Sequence, residues 1–413
     1  MTKLTPTLRM LIGAVGLAAF VALGLGQLAV DTAARAEVQA GAQAPRFEVD
    51  PFWPKPLPNH WVLGSTIGLA VDDQDHVWII HRGAMTLNPN EIPAASDPPF
   101  ADACCDAAPP VLEFDPAGNL VGHWGGPGDG YQWPQSNHGL AFDHKGNIWI
   151  GGNGAGDAHI LKFTKDGTFL QQFGRAGARR SGGTDQEPQY TGGSNDPENF
   201  GRVAKIFVDA TANEAYVADG YLNKRVAVLD ADTGAMKRFW GAYGNTPDDA
   251  NAGRYDPAAP PPQQFRNPVH CAELSDDRLL YVCDRVNDRI QVFQPDGTFV
   301  KEAFVAKNTR GSGSVWDIAF SSDAAQSFIY LADGVNAKVH ILRRDTMEVL
   351  TSFGDGGRQP GQFYGAHSIA TDSQGNIFTT ETYEGKRVQK FVNKGMGPVP
   401  GPDQGVVWPT ATR

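Results

Sequence analysis

The chain has 413 residues, with 48 Gly, 29 Pro, 41% hydrophobic and 20% charged residues, enough for a large core built from many short strands and turns. Its net charge is −11, and no Lys/Arg run is interleaved with aromatics, which argues against a nucleic-acid partner. The acidic surface is read as serving solubility.

Residues 1–36 read as a segment outside the fold. Lys3 and Arg9 make a basic start, 10–26 is an uncharged apolar run, and Ala34-Arg35-Ala36 offers small residues at cleavage spacing. The pattern predicts a secretory signal peptide and an exported protein, periplasmic or secreted. Asp31, near the cleavage position, keeps an uncleaved N-terminal anchor open as the alternative. No other stretch is long and apolar enough to cross a membrane.

Residues 37–392 are expected to form one repeat domain. First strands are predicted over 67–72, 138–143, 206–209, 269–274, 316–320 and 367–372. Second strands follow over 77–82, 147–150, 214–221, 279–285, 328–334 and 376–381. Third strands are predicted over 111–115, 159–163, 225–229, 289–293, 339–342 and 387–391. Lys-Asp-Gly (165–167), Pro-Asp-Gly (295–297) and Gln-Gly-Asn (374–376) supply hairpin turns. Such units cannot bury both faces alone, so the pattern predicts an all-β, six-bladed β-propeller. The sixth unit lacks an outer strand. Phe47-Glu48-Val49-Asp50 is predicted to supply it, so that an N-terminal strand closes the ring. Residues 393–413, rich in Gly and Pro, are predicted to be a flexible C-terminal tail. Insertions near 83–108, 175–198 and 242–263 are expected on one face, the binding face, or else are ordinary surface loops.

Aligning the six first strands gives one equivalent position per blade: Ile67, His138, Ala204, His270, Trp316 and His367. Histidine occupies the second, fourth and sixth blades, about 120° apart around a closed six-fold ring. Three imidazoles converging on one point, with an open position left over, is the layout of catalytic zinc. The other seven of the ten histidines lack this register. His60, His76, His123, His144 and His340 read as surface residues, while His81 and His159 lie near the rim without a role assigned.

A second register, just past the second strands, holds Arg82, Tyr221 and Arg285, with Tyr383 nearby. Arginine beside a metal can hold a substrate carboxylate, and tyrosine can act as general base. For Arg285 the alternative is an ion pair with Asp284 or Asp288, and for Tyr221 it is rim packing. Asp219-Gly220 and Asp333-Gly334 read as turn chemistry. Cys271 and Cys283 are equidistant from a tight turn, so a cross-strand disulfide is expected. Cys104-Cys105 would be a vicinal disulfide or two thiols, and no CxxC zinc cluster exists.

The blade pattern resembles NHL-repeat propellers. The ordered set of Val-Trp-Ile-Ile-His-Arg (77–82), His138-Gly139-Leu140, Ala218-Asp219-Gly220-Tyr221, Pro268-Val269-His270, Asp284-Arg285 and Ala366-His367 is similar to peptidyl-α-hydroxyglycine α-amidating lyases (peptidylamidoglycolate lyases). The resemblance implies His138, His270 and His367 as zinc ligands, Tyr221 as catalytic tyrosine, and Arg82 and Arg285 as site arginines. It also implies a structural calcium held by the carbonyls of Leu69 and Leu140 and by an Asp after the last histidine, where this chain has Ser368. The family has Met where Gly365 stands, and its disulfides do not map onto Cys271 and Cys283.

The expected function is an exported zinc-dependent carbon–nitrogen lyase. It would cleave a hemiaminal-like bond to an amide and glyoxylate, or act on a related small or peptide-derived substrate. The alternatives are a non-catalytic NHL propeller that binds a partner at its rim and a lactonase-like metallohydrolase. Histidine ligands favour zinc over the carboxylate-bound cation of the latter.

Overall fold

The computed structural model describes residues 41–178 and 193–409, so the predicted signal peptide and much of the 175–198 insertion lie outside the described residues. Six four-stranded antiparallel sheets are arranged as blades around an axis. Blade one comprises Thr66–Val71, Val77–His81, Val111–Phe114 and Leu120–Trp124. Blade two comprises Asn137–Phe142, Ile148–Gly152, His159–Phe163 and Phe169–Gly174. Blade three has Val203–Asp209, Glu214–Asp219, Arg225–Asp230 and Met236–Trp240, and blade four has Val269–Leu274, Leu280–Asp284, Arg289–Phe293 and Phe299–Phe304. Blade five has Asp317–Phe320, Phe328–Asp333, Lys338–Arg343 and Val349–Phe353. Blade six pairs Ala366–Thr371, Ile377–Glu381 and Arg387–Pro398 with an outer strand from the chain's other end, Gln43–Asp50. The predicted N-terminal closure is therefore observed, with Phe47 opposite Asn393 and Asp50 opposite Lys390.

Each blade is buried on both faces. Six apolar clusters result among the described residues, one at each junction between neighbouring blades. Within one strand, Ile79 faces the junction with blade six, while Trp78 and Ile80 face blade two. That two-sided burial explains why the second strands read as nearly continuous apolar runs.

The C-terminal segment departs from the expectation of a loose tail. Residues 393–398 extend the third strand of blade six. Beyond them, Thr351 Oγ1 donates to the Gly401 carbonyl at 2.7 Å, Gly354 N to Gly405 at 2.7 Å, and Val49 N to Val407 at 2.8 Å. The segment is thus stitched across the junction of blades five and six.

Cys271 and Cys283 face each other across the first two strands of blade four and are joined, as expected. Cys104 and Cys105 are joined as a vicinal pair.

Candidate metal centre

The first strands carry a repeated irregularity that places the site. Their ladders with the second strands shift register between Thr66 and Gly68, Asn137 and Leu140, Val203 and Lys205, Val269 and Cys271, and Ala366 and Ile369. The aligned position falls in every gap: Ile67, Ala204 and His270 alone, His138 together with Gly139, and His367 together with Ser368. A bulge re-aims a side chain by freeing it from the ladder. In blade five the strand begins at Asp317, so Trp316 at this position precedes the ladder.

The three histidines come together. One ring nitrogen of each lies within 4.8 Å of the others, and all three residues are buried. Every Nδ1 meets the backbone carbonyl of the aligned residue in the following blade. His138 meets Ala204 at 2.7 Å, His270 meets Trp316, and His367 meets Ile67 at 3.2 Å. A carbonyl only accepts, so each Nδ1 carries the proton and each Nε2 presents a lone pair to the axis. Burial, above all, holds the three imidazoles well below the ordinary histidine range. The positive charge of Arg285 pushes all three the same way, and that of Arg82 does so for His138 and His367.

These lone pairs lack sufficient donors. Tyr221 Oη lies 2.9 Å from His138 Nε2 and 3.0 Å from His270 Nε2, yet its one hydrogen serves only one of them. His367 Nε2 makes no hydrogen bond among the described residues. Converging, buried, neutral nitrogens of this kind fit a metal ion, and their carbonyl partners are the orienting contacts that ligating histidines require.

Arg82, Tyr221 and Arg285 lie beside the histidines. Arg285 Nη1 donates to Tyr221 Oη at 3.2 Å, and its guanidinium stacks on Trp316 at 4.3 Å. Its Nε is buried with no hydrogen-bond partner among the described residues. Asp284 pairs with Arg289 at 2.7 Å, so the Arg285–Asp284 ion pair weighed above does not form. Arg82 is held by the Asn137 carbonyl at 3.2 Å and by Asn153 Oδ1 at 2.8 Å.

Trp316 appears in the aligned register without a role assigned, and Asn153, directly after the second strand of blade two, is a contributor the sequence reading did not name. Gly220 also has a different role from the turn assigned to it. A Cβ there would lie 1.9 Å from the Val269 carbonyl oxygen, so the loop bearing Tyr221 presses directly on blade four. Gly334 repeats this against Ala366. His81 is structural: Nδ1 accepts from the amides of Gly64 and Gly83, both at 3.1 Å, and Nε2 donates to the Pro109 carbonyl. His159 is anchored to the Gln132 carbonyl at 2.6 Å.

Around the positions of the calcium set lies an ion-pair network. Leu69, Leu140 and Ser368 line a narrow cavity under the histidines together with Lys205 and Asp317. Lys205 Nζ lies 2.7 Å from Asp317 Oδ1 and 2.8 Å from Glu273 Oε1. Burial disfavours this ammonium, but the two carboxylates outweigh it and keep it protonated. Lys205 is thus the cation these two carboxylates already hold, in the place a divalent ion would draw on them.

No protein-family model matches the chain. It is 25% identical over 358 residues to peptidyl-glycine alpha-amidating monooxygenase B of Xenopus laevis, covering 84% of this chain and 36% of that protein. It is 28% identical over 273 residues to form A of the same species, covering 65% and 25%. The chain thus spans little more than a third of these relatives at most. NHL repeat-containing protein 3 of Mus musculus is 24% identical over 316 residues, covering 74% of this chain and 70% of that one. A solved structure of virginiamycin B lyase from Staphylococcus aureus has 14% identity and a TM-score of 0.44, covering 85% of this chain and 89% of its own. A streptogramin B lyase structure has 12% identity and a TM-score of 0.46, covering 86% and 99%. Likeness at that level carries no argument about chemistry. The chain is a six-bladed β-propeller of the NHL-repeat kind that resembles the peptidyl-glycine alpha-amidating proteins.

Proposed function

We propose that this chain is an exported zinc-dependent lyase that splits an N-acyl-α-hydroxyglycine into an amide and glyoxylate. The supporting observation is the set of three Nδ1-anchored histidines with Tyr221 Oη bridging two of their free nitrogens, flanked by two arginines. The amidating relatives lend the reading independent support. Zinc, when bound by His138, His270 and His367, supplies a Lewis acid for the substrate's oxygen.

The protein's own groups divide the remaining work. Arg82 and Arg285 hold the substrate carboxylate. Tyr221 relays the proton: its Oη takes the hydrogen of the substrate hydroxyl as its own hydrogen passes to the departing nitrogen, and Arg285 donates to that Oη. The hydroxyl oxygen's electrons close to a carbonyl, the C–N bond breaks, and the nitrogen leaves with a proton as the amide. Two disulfides suit an oxidising compartment and agree with residues 1–36 as an export signal.

The test is glyoxylate release from N-acetyl-α-hydroxyglycine by the protein with its metal. Tyr221→Phe is expected to lower kcat about 10²-fold or more while the metal content stays unchanged. A fully active Tyr221→Phe protein would refute the role of that hydroxyl. Absence of turnover by the metal-loaded wild type would refute the lyase assignment.

A further inference from the structure

Tyr383 stands just past the second strand of blade six, at the mouth of the site. It is 53% exposed, whereas Trp316 beneath it is 2% exposed, and their rings meet edge-on at 6.5 Å. Trp316 in turn carries the stacked Arg285 guanidinium and lies against His270 and His367. Tyr383 therefore forms the outer course of a wall that runs down to the candidate metal ligands.

The ring is held there rather than left to drift. Its backbone is left-handed, with φ at 54°, which a non-glycine residue adopts only where its surroundings enforce it. Ser65 Oγ fixes the Tyr383 carbonyl with a 2.8 Å hydrogen bond from blade one. The ring lies over Gly365, where an added Cβ would come within 3.1 Å of Tyr383 Cδ2. Tyr383 also lies close enough to Arg82 to influence its guanidinium. A half-exposed aromatic face near Arg82, in contact with the Trp316 ring that carries Arg285, is a surface for a flat partner, because offset stacking rewards planar groups over small aliphatic ones.

We propose that Tyr383 determines specificity, stacking on a flat apolar group on the acyl side of a substrate whose carboxylate Arg82 and Arg285 hold. This rests on the carboxylate site described under Proposed function, but not on catalysis. The test is calorimetric binding of two unreactive probes, N-benzoylglycine and N-acetylglycine, to the full protein with its metal. The wild type is expected to favour the benzoyl probe by about three- to tenfold. Tyr383→Phe should keep that preference, and Tyr383→Ala should abolish it by weakening the benzoyl probe alone.

A wild type without preference, a preference that survives in Tyr383→Ala, or failure to bind either probe overturns the proposal. Loss of preference in Tyr383→Phe also overturns it, because the hydroxyl and not the ring would then be responsible. Turnover is measured separately on N-acetyl-α-hydroxyglycine. Turnover without probe preference refutes the aromatic wall alone. Preference without turnover refutes the lyase alone.

Discussion

Each candidate ligand is defined at one atom by its neighbour blade: an Nδ1–H on a carbonyl leaves Nε2 with no freedom of tautomer. Removing one imidazole removes a donor while the other two stay anchored. His270→Ala is therefore expected to leave the dialysed protein without stoichiometric metal, as measured by elemental analysis, and unchanged metal content would rule this site out. His81 makes a different prediction. Burial lowers it from 6.5 to about 4, so the folded state keeps it neutral where the unfolded chain protonates. Its contribution is present above pH 6.5 and is lost as pH falls from 6.5 toward about 4, by up to about 3 kcal/mol. The stability gap between wild type and His81→Gln, measured by urea unfolding, should narrow over that window, and a pH-independent gap would contradict it. The three candidate ligands were legible because a repeat register marks them in residue type. Their carbonyl partners were not, since Ala204 and Ile67 act through main-chain atoms that carry no residue signature.

The working element is the bulged inner strand, which turns one side chain into the channel while its neighbours pack between blades. One position further along, Lys205 of blade three reaches across to Glu273 of blade four and Asp317 of blade five. Asp317 also accepts from the Ile369 amide of blade six at 3.1 Å. This cluster braces four blades under the candidate metal centre. Lys205→Met would strand two buried carboxylates and is expected to cost about 3–5 kcal/mol in urea unfolding. Added calcium should leave the wild-type melting temperature unchanged, and a calcium-dependent rise would show that the channel holds a divalent ion after all. The strands themselves were readable from apolar pattern and turns. The bulges were not, because a slipped ladder changes backbone pairing without changing composition.

At the scale of the whole ring, stability rests on six similar junctions, and the one between blades six and one joins distant parts of the chain. Trp53 is inserted there, 4.9 Å from Phe378 of blade six and 5.8 Å from Phe114 of blade one. Gly118 makes room for it: its φ is +87°, and a Cβ would lie 2.7 Å from Trp53 Cδ1. Trp53→Ala is expected to cost about 3–5 kcal/mol by urea unfolding, and a loss below about 1 kcal/mol would show that closure does not depend on it. The closing strand was foreseeable because a four-stranded plan left one place vacant in blade six. The docked C-terminal segment was not, because its anchors are mostly main-chain carbonyls, joined by single contacts such as Asp403 to Lys338 that no repeat register marks.

The hydrogen bond from His367 to Ile67 spans 300 positions of sequence. The other two histidines find their carbonyls in the next blade to emerge during synthesis, but this one must wait for the first blade to meet the last. A chain with an open ring therefore offers two oriented imidazoles and one free to turn. If a metal is held by all three histidines, its full affinity requires closure, and loading with the ion would then report that the circle is complete.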